Sequence, residues 1–210
     1  MSRSLTEVIS RDSLEYVRRL AYLAEYRKPG IKNHLERIRG YCSIIGHGLS
    51  LSAQEIEMIS VASQLHDIGE IGIPEGILAK TGNLTADEWE MVKRHQIIGA
   101  EILRGSASPL LQTGEIIALS HHERWDGSGY PYGLKGEEIP LSGRICAVAD
   151  VFDALTTPRP YKAEVPLADA LRLIADSGGQ LFDPMLVEIF ADNFTDILKT
   201  RQFTLSTKPL

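Results

Sequence analysis

A chain of 210 residues is long enough to bury one sizeable hydrophobic core. Hydrophobic residues at 43 % and charged residues at 24 % match a globular protein and exclude a disordered, collagen-like or low-complexity chain. Lys and Arg number 22 against 28 Asp and Glu, a net charge of −6, which speaks against sequence-independent nucleic-acid binding but leaves room for a local basic pocket for one small anion.

The apolar pattern is helical nearly throughout. Leu14, Val17, Leu20, Ala21 and Ala24 recur at helical spacing and predict a helix from about Leu5 to Tyr26, ended by Lys28-Pro29-Gly30. Ile31, His34, Leu35, Ile38, Cys42 and Ile45 make the next stripe, closed by Gly46 and Gly48. Ser52 and Glu55 form a capping box that opens a helix to about Asp67. Gly69 to Asn83, rich in glycine, reads as an irregular loop. Thr85 and Glu88 are a second capping box, for a helix to about Leu103. Further helices are predicted at Pro109–His122, Leu141–Thr156, Pro166–Asp176 and Pro184–Lys199, with a structured loop from Asp126 to Pro140.

No stretch alternates at period two, so the expected fold is all-α. The division expected is a lead-in helix or linker over 1–28, one helical bundle over 29–200 and a tail over 201–210. Cys42 and Cys146 are far apart and form no CxxC, which suits two reduced buried thiols in a cytoplasmic protein. No apolar run approaches the ~18 residues of a membrane span. Met1 to Ser13 mixes charges with apolar residues, unlike a signal peptide. A soluble, intracellular chain is therefore expected, unless it is cut from a longer membrane-bound parent.

Three helical stripes run through a histidine: His34, His66 and His95; a fourth runs through Asp150. Polar ionisable groups thus point into the core from separate helices. One such histidine is ordinarily a hydrogen-bonded core residue. A buried carboxylate is harder to explain that way, because it is costly when unpaired. The adjacent pairs His66-Asp67 and His121-His122 add to the set. Convergence on metal ions is the economical alternative, and imidazole with carboxylate suits Fe, Mn, Zn or Co. His47, in a glycine-flanked loop, is assigned to the surface.

His66-Asp67-Ile68-Gly69 resembles the HD motif of metal-dependent phosphohydrolases. The stretch from His121 to Pro131 resembles the extended HD-GYP signature, with Gly129-Tyr130-Pro131 as its triplet. The resemblance covers roughly Leu20 to Phe190. It implies a helical HD bundle and a phosphodiesterase acting on cyclic di-GMP, or on a related cyclic GMP-AMP, with linear pGpG and then GMP as products of the former. It implies two divalent ions, iron or manganese, activating a bridging hydroxide. His34, His66, Asp67 and Asp150 would hold one ion; His95, His121 and His122 the other, with Asp67 bridging. Arg159 and Lys162 would meet the substrate's phosphates or guanines, and Tyr130 would stack or hydrogen-bond. Arg144 would bind substrate or pair with an acid. A GGDEF-type diguanylate cyclase docking on the GYP loop is the partner that family analogy offers, and the first helix could pair with its copy in a dimer.

Two positions depart from the family pattern. Gly30 stands where many members carry a glutamate associated with a third metal, so two metals are expected. Glu70 stands where the motif has lysine. Glu70 is then a surface residue pointing away, a ligand or acid near the metals, or the mark of a centre that binds metals and cleaves poorly. In the last case a lysine at 70 would speed the reaction, and the chain would act as a sensor or protein-interaction module.

Overall fold

The computed structural model describes residues 9–158 and 164–206. The order of helices is α1 (Arg11–Glu25), α2 (Ile31–Gly48), α3 (Ala53–Ala62), α4 (Glu75–Leu78), α5 (Ala86–Lys93), α6 (His95–Leu103), α7 (Pro109–Ser120), α8 (Leu141–Thr156), α9 (Leu167–Asp176), α10 (Pro184–Asp192) and α11 (Phe194–Ser206). There is no β-strand among the described residues, and none of the helices is long and apolar enough to cross a membrane. The fold is all-α, as the periodicity predicts.

Caps explain several helix starts. Ser10 caps α1 by accepting from the Ser13 N–H. Both predicted capping boxes form, Ser52 with Glu55 at α3 and Thr85 with Glu88 at α5. Gly30 caps α2 with φ +77°, a backbone conformation that side chains disfavour. Asp183 caps α10, where Pro184 takes the first position.

Two predicted helices are each two. The run from Ala86 to Leu103 breaks at Arg94, because the His95 imidazole takes the Val92 carbonyl at 2.7 Å. An unbroken helix would offer that carbonyl to the N–H four residues on. The run from Pro184 breaks at Asn193, whose amide bonds the Ile189 carbonyl at 2.9 Å, and α11 continues past residue 200 to Ser206. The segment expected to be an irregular loop after Gly69 holds a 3-10 turn (Ile68–Gly72) and α4.

Helix α2 is central, packed against α1, α3, α8, α10 and α11. Its stripe Ile31, Leu35, Ile38, Cys42 and Ile45 is buried. Phe152 of α8 is fully buried and meets Tyr41, Phe190 and Phe194 with ring centroids 5.5, 5.0 and 5.8 Å apart. The 3-10 turn after Asp67 lies directly on α6. A Cβ at Gly69 would collide with the His95 carbonyl and the Gly99 nitrogen. Glycine there lets the His66-Asp67 turn approach the start of α6. Helix α1 also belongs to the core: Val17, Ala21 and Glu25 face inward, one helical turn apart, and are buried.

Candidate metal centre

The polar residues that interrupt the stripes sit mostly at helix ends. His34 lies in the first turn of α2, His66-Asp67 follow α3, His95 opens α6, and His121-His122 follow α7; Asp150 is the exception, within α8. Helix ends carry carbonyls without helical partners. Carbonyls near these ends hold the imidazoles, those of Ser63 and Ile117 while also accepting a backbone N–H. His66 Nδ1 meets the Ser63 carbonyl at 2.9 Å, His95 Nδ1 that of Val92 at 2.7 Å, and His121 Nδ1 that of Ile117 at 3.1 Å. A carbonyl only accepts, so each Nδ1 carries the proton and each Nε2 presents a lone pair. The C-terminal ends of α3, α5 and α7 also bring partial negative charge to this place.

The lone pairs converge. One atom each of Asp67, His95, His121 and His122 lie within 4.8 Å of one another, and so do one atom each of His34, His66 and Asp150. Asp67 stands between the groups. Its Oδ1 is 3.4 Å from His95 Nε2 and 3.5 Å from His121 Nε2, while its Oδ2 is 3.6 Å from His66 Nε2. Asp150 Oδ1 is 3.8 Å from His66 Nε2. His95 and His121 face each other through Nε2 at 3.5 Å with no proton left to share. His66 Nε2 is fully buried and has no hydrogen-bond partner. Buried lone pairs without donors are costly, and a cation satisfies them. The residues therefore fit metal ions, with Asp67 able to face two at once.

The electrostatics agree with this fit. Burial would raise the Asp67 carboxyl, but Lys28, then His66, His121 and His95, hold it well below the usual carboxylate range. Burial pushes His122 well below the ordinary histidine value. Burial also lowers His95, against the pull of Asp67. Both are thus kept as neutral imidazoles, the form that ligates.

Four residues that the stripes did not single out complete the surroundings. Asp153 accepts the Nδ1–H of His34 at 2.8 Å and pairs with Arg37 at 2.5 and 2.8 Å. Glu25 is buried, with Oε2 on Lys28 and Oε1 without a partner. Lys28 reaches Glu25, Asp67 and Glu70 at 2.8, 3.1 and 2.7 Å. Glu123, buried, accepts the Tyr132 and Leu134 N–H groups at 2.7 and 3.0 Å and so shapes the glycine-rich loop.

Glu70 does not point away into solvent. Its side chain is 13 % exposed and faces Asp67 through Lys28. Burial and the Asp67 charge push its carboxyl up to about 8, against the opposing pull of Lys28. Tyr130 stacks on His122 with centroids 5.0 Å apart, and its carbonyl accepts from Gln96. Of the two roles expected of Arg144, pairing with an acid is the one seen among the described residues. It pairs with Asp183 at 2.5 Å, donates to the Ile139 carbonyl and lies over the Trp125 ring. Its role here is to tie the loop before α8 to the start of α10. His47 is exposed. Arg159 and Lys162 lie outside the described residues.

An all-helical bundle with two His/Asp clusters that could hold metal ions is the arrangement that the HD resemblance implies. The HD domain family model matches residues 18–186, and the chain belongs to that family. His66-Asp67 and the Gly129-Tyr130-Pro131 triplet mark it as an HD-GYP member. It is 48 % identical over 185 residues to the cyclic di-GMP phosphodiesterase response regulator RpfG of Xanthomonas campestris, covering 88 % of this chain and 49 % of that protein. It is 50 % identical over 171 residues to a cyclic di-GMP phosphodiesterase of Thermotoga maritima, covering 81 % and 46 %. A 3'3'-cGAMP-specific phosphodiesterase of Vibrio cholerae is 41 % identical over 189 residues, with 90 % and 36 % covered. The chain spans half or less of the length of these curated relatives. Among solved structures, a cyclic GMP-AMP specific phosphodiesterase of V. cholerae shares the fold with a TM-score of 0.61 at 22 % identity, covering 93 % of this chain and 53 % of that one.

Proposed function

We propose that this chain is the hydrolase part of a cyclic di-GMP phosphodiesterase that works with two divalent metal ions. The observation that carries the reading is the convergence of unprotonated Nε2 atoms from His66, His95 and His121 around the two oxygens of Asp67. His34, His66, Asp67 and Asp150 would hold one ion; Asp67, His95, His121 and His122 the other. A mixed imidazole and carboxylate set without thiolate suits iron or manganese. Such ions supply positive charge for the phosphoryl oxygens and lower the pKa of water.

The chain's own residues do the rest. Carbonyls and Asp153 fix the imidazoles, so the ligands need little rearrangement. Tyr130, held by Gln96 and stacked on His122, offers an aromatic face to a guanine. Lys28 places an ammonium beside Asp67, where the motif's lysine is missing, and offsets Glu70. Relatives named for cyclic di-GMP support that substrate, and those named for 3'3'-cGAMP make it the competitor to test. Linear pGpG is the product this reading requires, and GMP is the product of a second cleavage.

Chromatography of cyclic di-GMP and 3'3'-cGAMP after incubation with manganese- or iron-loaded protein tests it. Cyclic di-GMP should be consumed faster, with pGpG appearing, and a chelator should stop the reaction. Protein that holds both metals and turns over neither dinucleotide overturns the reading. That result would favour a second one, a metal-bound interaction module. Glu70 turned into the centre favours it, as does Tyr132, 61 % exposed on the GYP loop, where a GGDEF-type cyclase would dock.

A further inference from the structure

Beside the two histidine clusters lies a third group of ligand atoms that contains no nitrogen. One carboxylate oxygen each of Glu25, Asp67 and Glu70 lie within 4.8 Å of one another. Their side chains are 0 %, 14 % and 13 % exposed. Buried carboxylates at this spacing repel one another, and a cation placed among them relieves that repulsion. Glu25 adds an independent sign, because its Oε1 is buried with no hydrogen-bond partner at all.

The Lys28 ammonium stands among the three, 2.8 Å from Glu25, 3.1 Å from Asp67 and 2.7 Å from Glu70. Its position follows from the chain. Lys28 lies three residues after Glu25, just past the end of α1, where the turn at Pro29-Gly30 carries it over the His66-Asp67 segment. The side chain enters from outside and is 41 % exposed, so its head can be removed without opening the hydrophobic core. Nothing about the three carboxylates is specific to an ammonium. They form an all-oxygen set, which suits a hard divalent ion such as Mn²⁺ or Mg²⁺ equally well. The lysine has one advantage over a free ion. It is tethered, so its local concentration is on the order of millimolar at the least.

We propose that the Lys28 ammonium is a resident third cation, which keeps a divalent metal ion out of an oxygen-only position formed by Glu25, Asp67 and Glu70. Lys28 is thereby a positioning residue for Asp67: it holds Oδ2 on the side away from His95 and His121. The inference rests on the two-metal reading above, since Asp67 belongs to all three groups.

Metal content of the full chain, loaded with Mn²⁺, freed of excess ion and measured by elemental analysis, tests it. The wild type should hold two ions per chain and Lys28→Ala three. Lys28→Ala combined with Glu25→Gln and Glu70→Gln should return to two. Should Lys28→Ala fail to fold, Lys28→Gln takes its place with the same expectation of three. A wild type that holds three ions overturns the inference, because the lysine then excludes nothing. A folded Lys28→Ala or Lys28→Gln that stays at two overturns it equally. A wild type that holds fewer than two ions instead sinks the two-metal reading itself, so the failures are distinguishable.

Discussion

Asp153 and His34 are bonded across 119 residues of sequence, Nδ1–H to Oδ2 at 2.8 Å, and Arg37 clamps the same carboxylate from α2. Asp153→Asn removes the charge that answers a buried guanidinium. Breaking such a pair costs about 3–5 kcal/mol. The variant should melt at lower temperature and retain less metal, because His34 loses its orienting partner. Calorimetry and elemental analysis on the same sample check both.

The same carboxylate sets an acid limb. Burial opposes its ionisation, but the bonds from Arg37 and His34 hold its pKa far below the usual range. A depressed folded pKa contributes stability that is present above the unfolded value, ~3.9, and lost as pH falls toward the folded one. Wild-type urea midpoints should therefore fall steeply below about pH 4, and those of Asp153→Asn less steeply. Parallel slopes would show that Asp153 is not the group responsible.

Asp67→Ala should remove both metals together, because one side chain faces both clusters. Its melting temperature should no longer rise when Mn²⁺ is added, since binding to the folded state is what gives that rise. Retention of one tightly held ion would argue against a shared carboxylate.

Glu70→Lys has a sign that Lys28 reverses. On sequence alone, a lysine at 70 is expected to speed phosphodiester cleavage. The structure already holds an ammonium 2.7 Å from Glu70 Oε2, so a second one would meet it as a like charge. The single variant should lose stability and kcat/KM, while the swap Lys28→Glu with Glu70→Lys should recover most of both. A double-mutant cycle should show coupling of about 0.5–3 kcal/mol.

Glu123→Ala should spare the metals and loosen the loop. It leaves the Tyr132 and Leu134 N–H groups without their acceptor, a loss of roughly 1–3 kcal/mol each where water cannot enter. Tyr130 would then sit less firmly over His122. KM for the dinucleotide should rise several-fold with metal content unchanged at the wild-type value, which separates a loop effect from loss of the centre.

Much of this arrangement is legible in the order of residues. An apolar stripe that passes through His34, His66 or His95 says that an imidazole points inward, and Asp67 follows as a neighbour of His66. The same sign was present at Glu25, which continues the stripe Val17, Ala21 at four-residue spacing. It shows that Glu25 faces inward, but not what it meets. Lys28 carries no periodic sign, and Asp153, which continues the buried stripe Cys146, Ala149, shows only that it faces inward. Their partners lie 39 and 119 residues away, and only the packing of α1 on the Asp67 turn and of α2 on α8 brings them together. The breaks at Arg94 and Asn193 escape for a related reason. The His95 imidazole takes one backbone carbonyl, and the Asn193 amide adds a second bond to another, and periodicity registers neither.

Helix α1 buries one carboxylate of the centre, and the turn that ends it delivers the ammonium. Its inward face has no separate purpose: Val17 and Ala21 seat the helix, and that seating decides where Glu25 and Lys28 arrive. A boundary drawn at Pro29 would therefore cut through the centre rather than in front of it. A chain shortened to begin at Ile31 would keep every histidine and still leave Asp67 and Glu70 without the Lys28 ammonium.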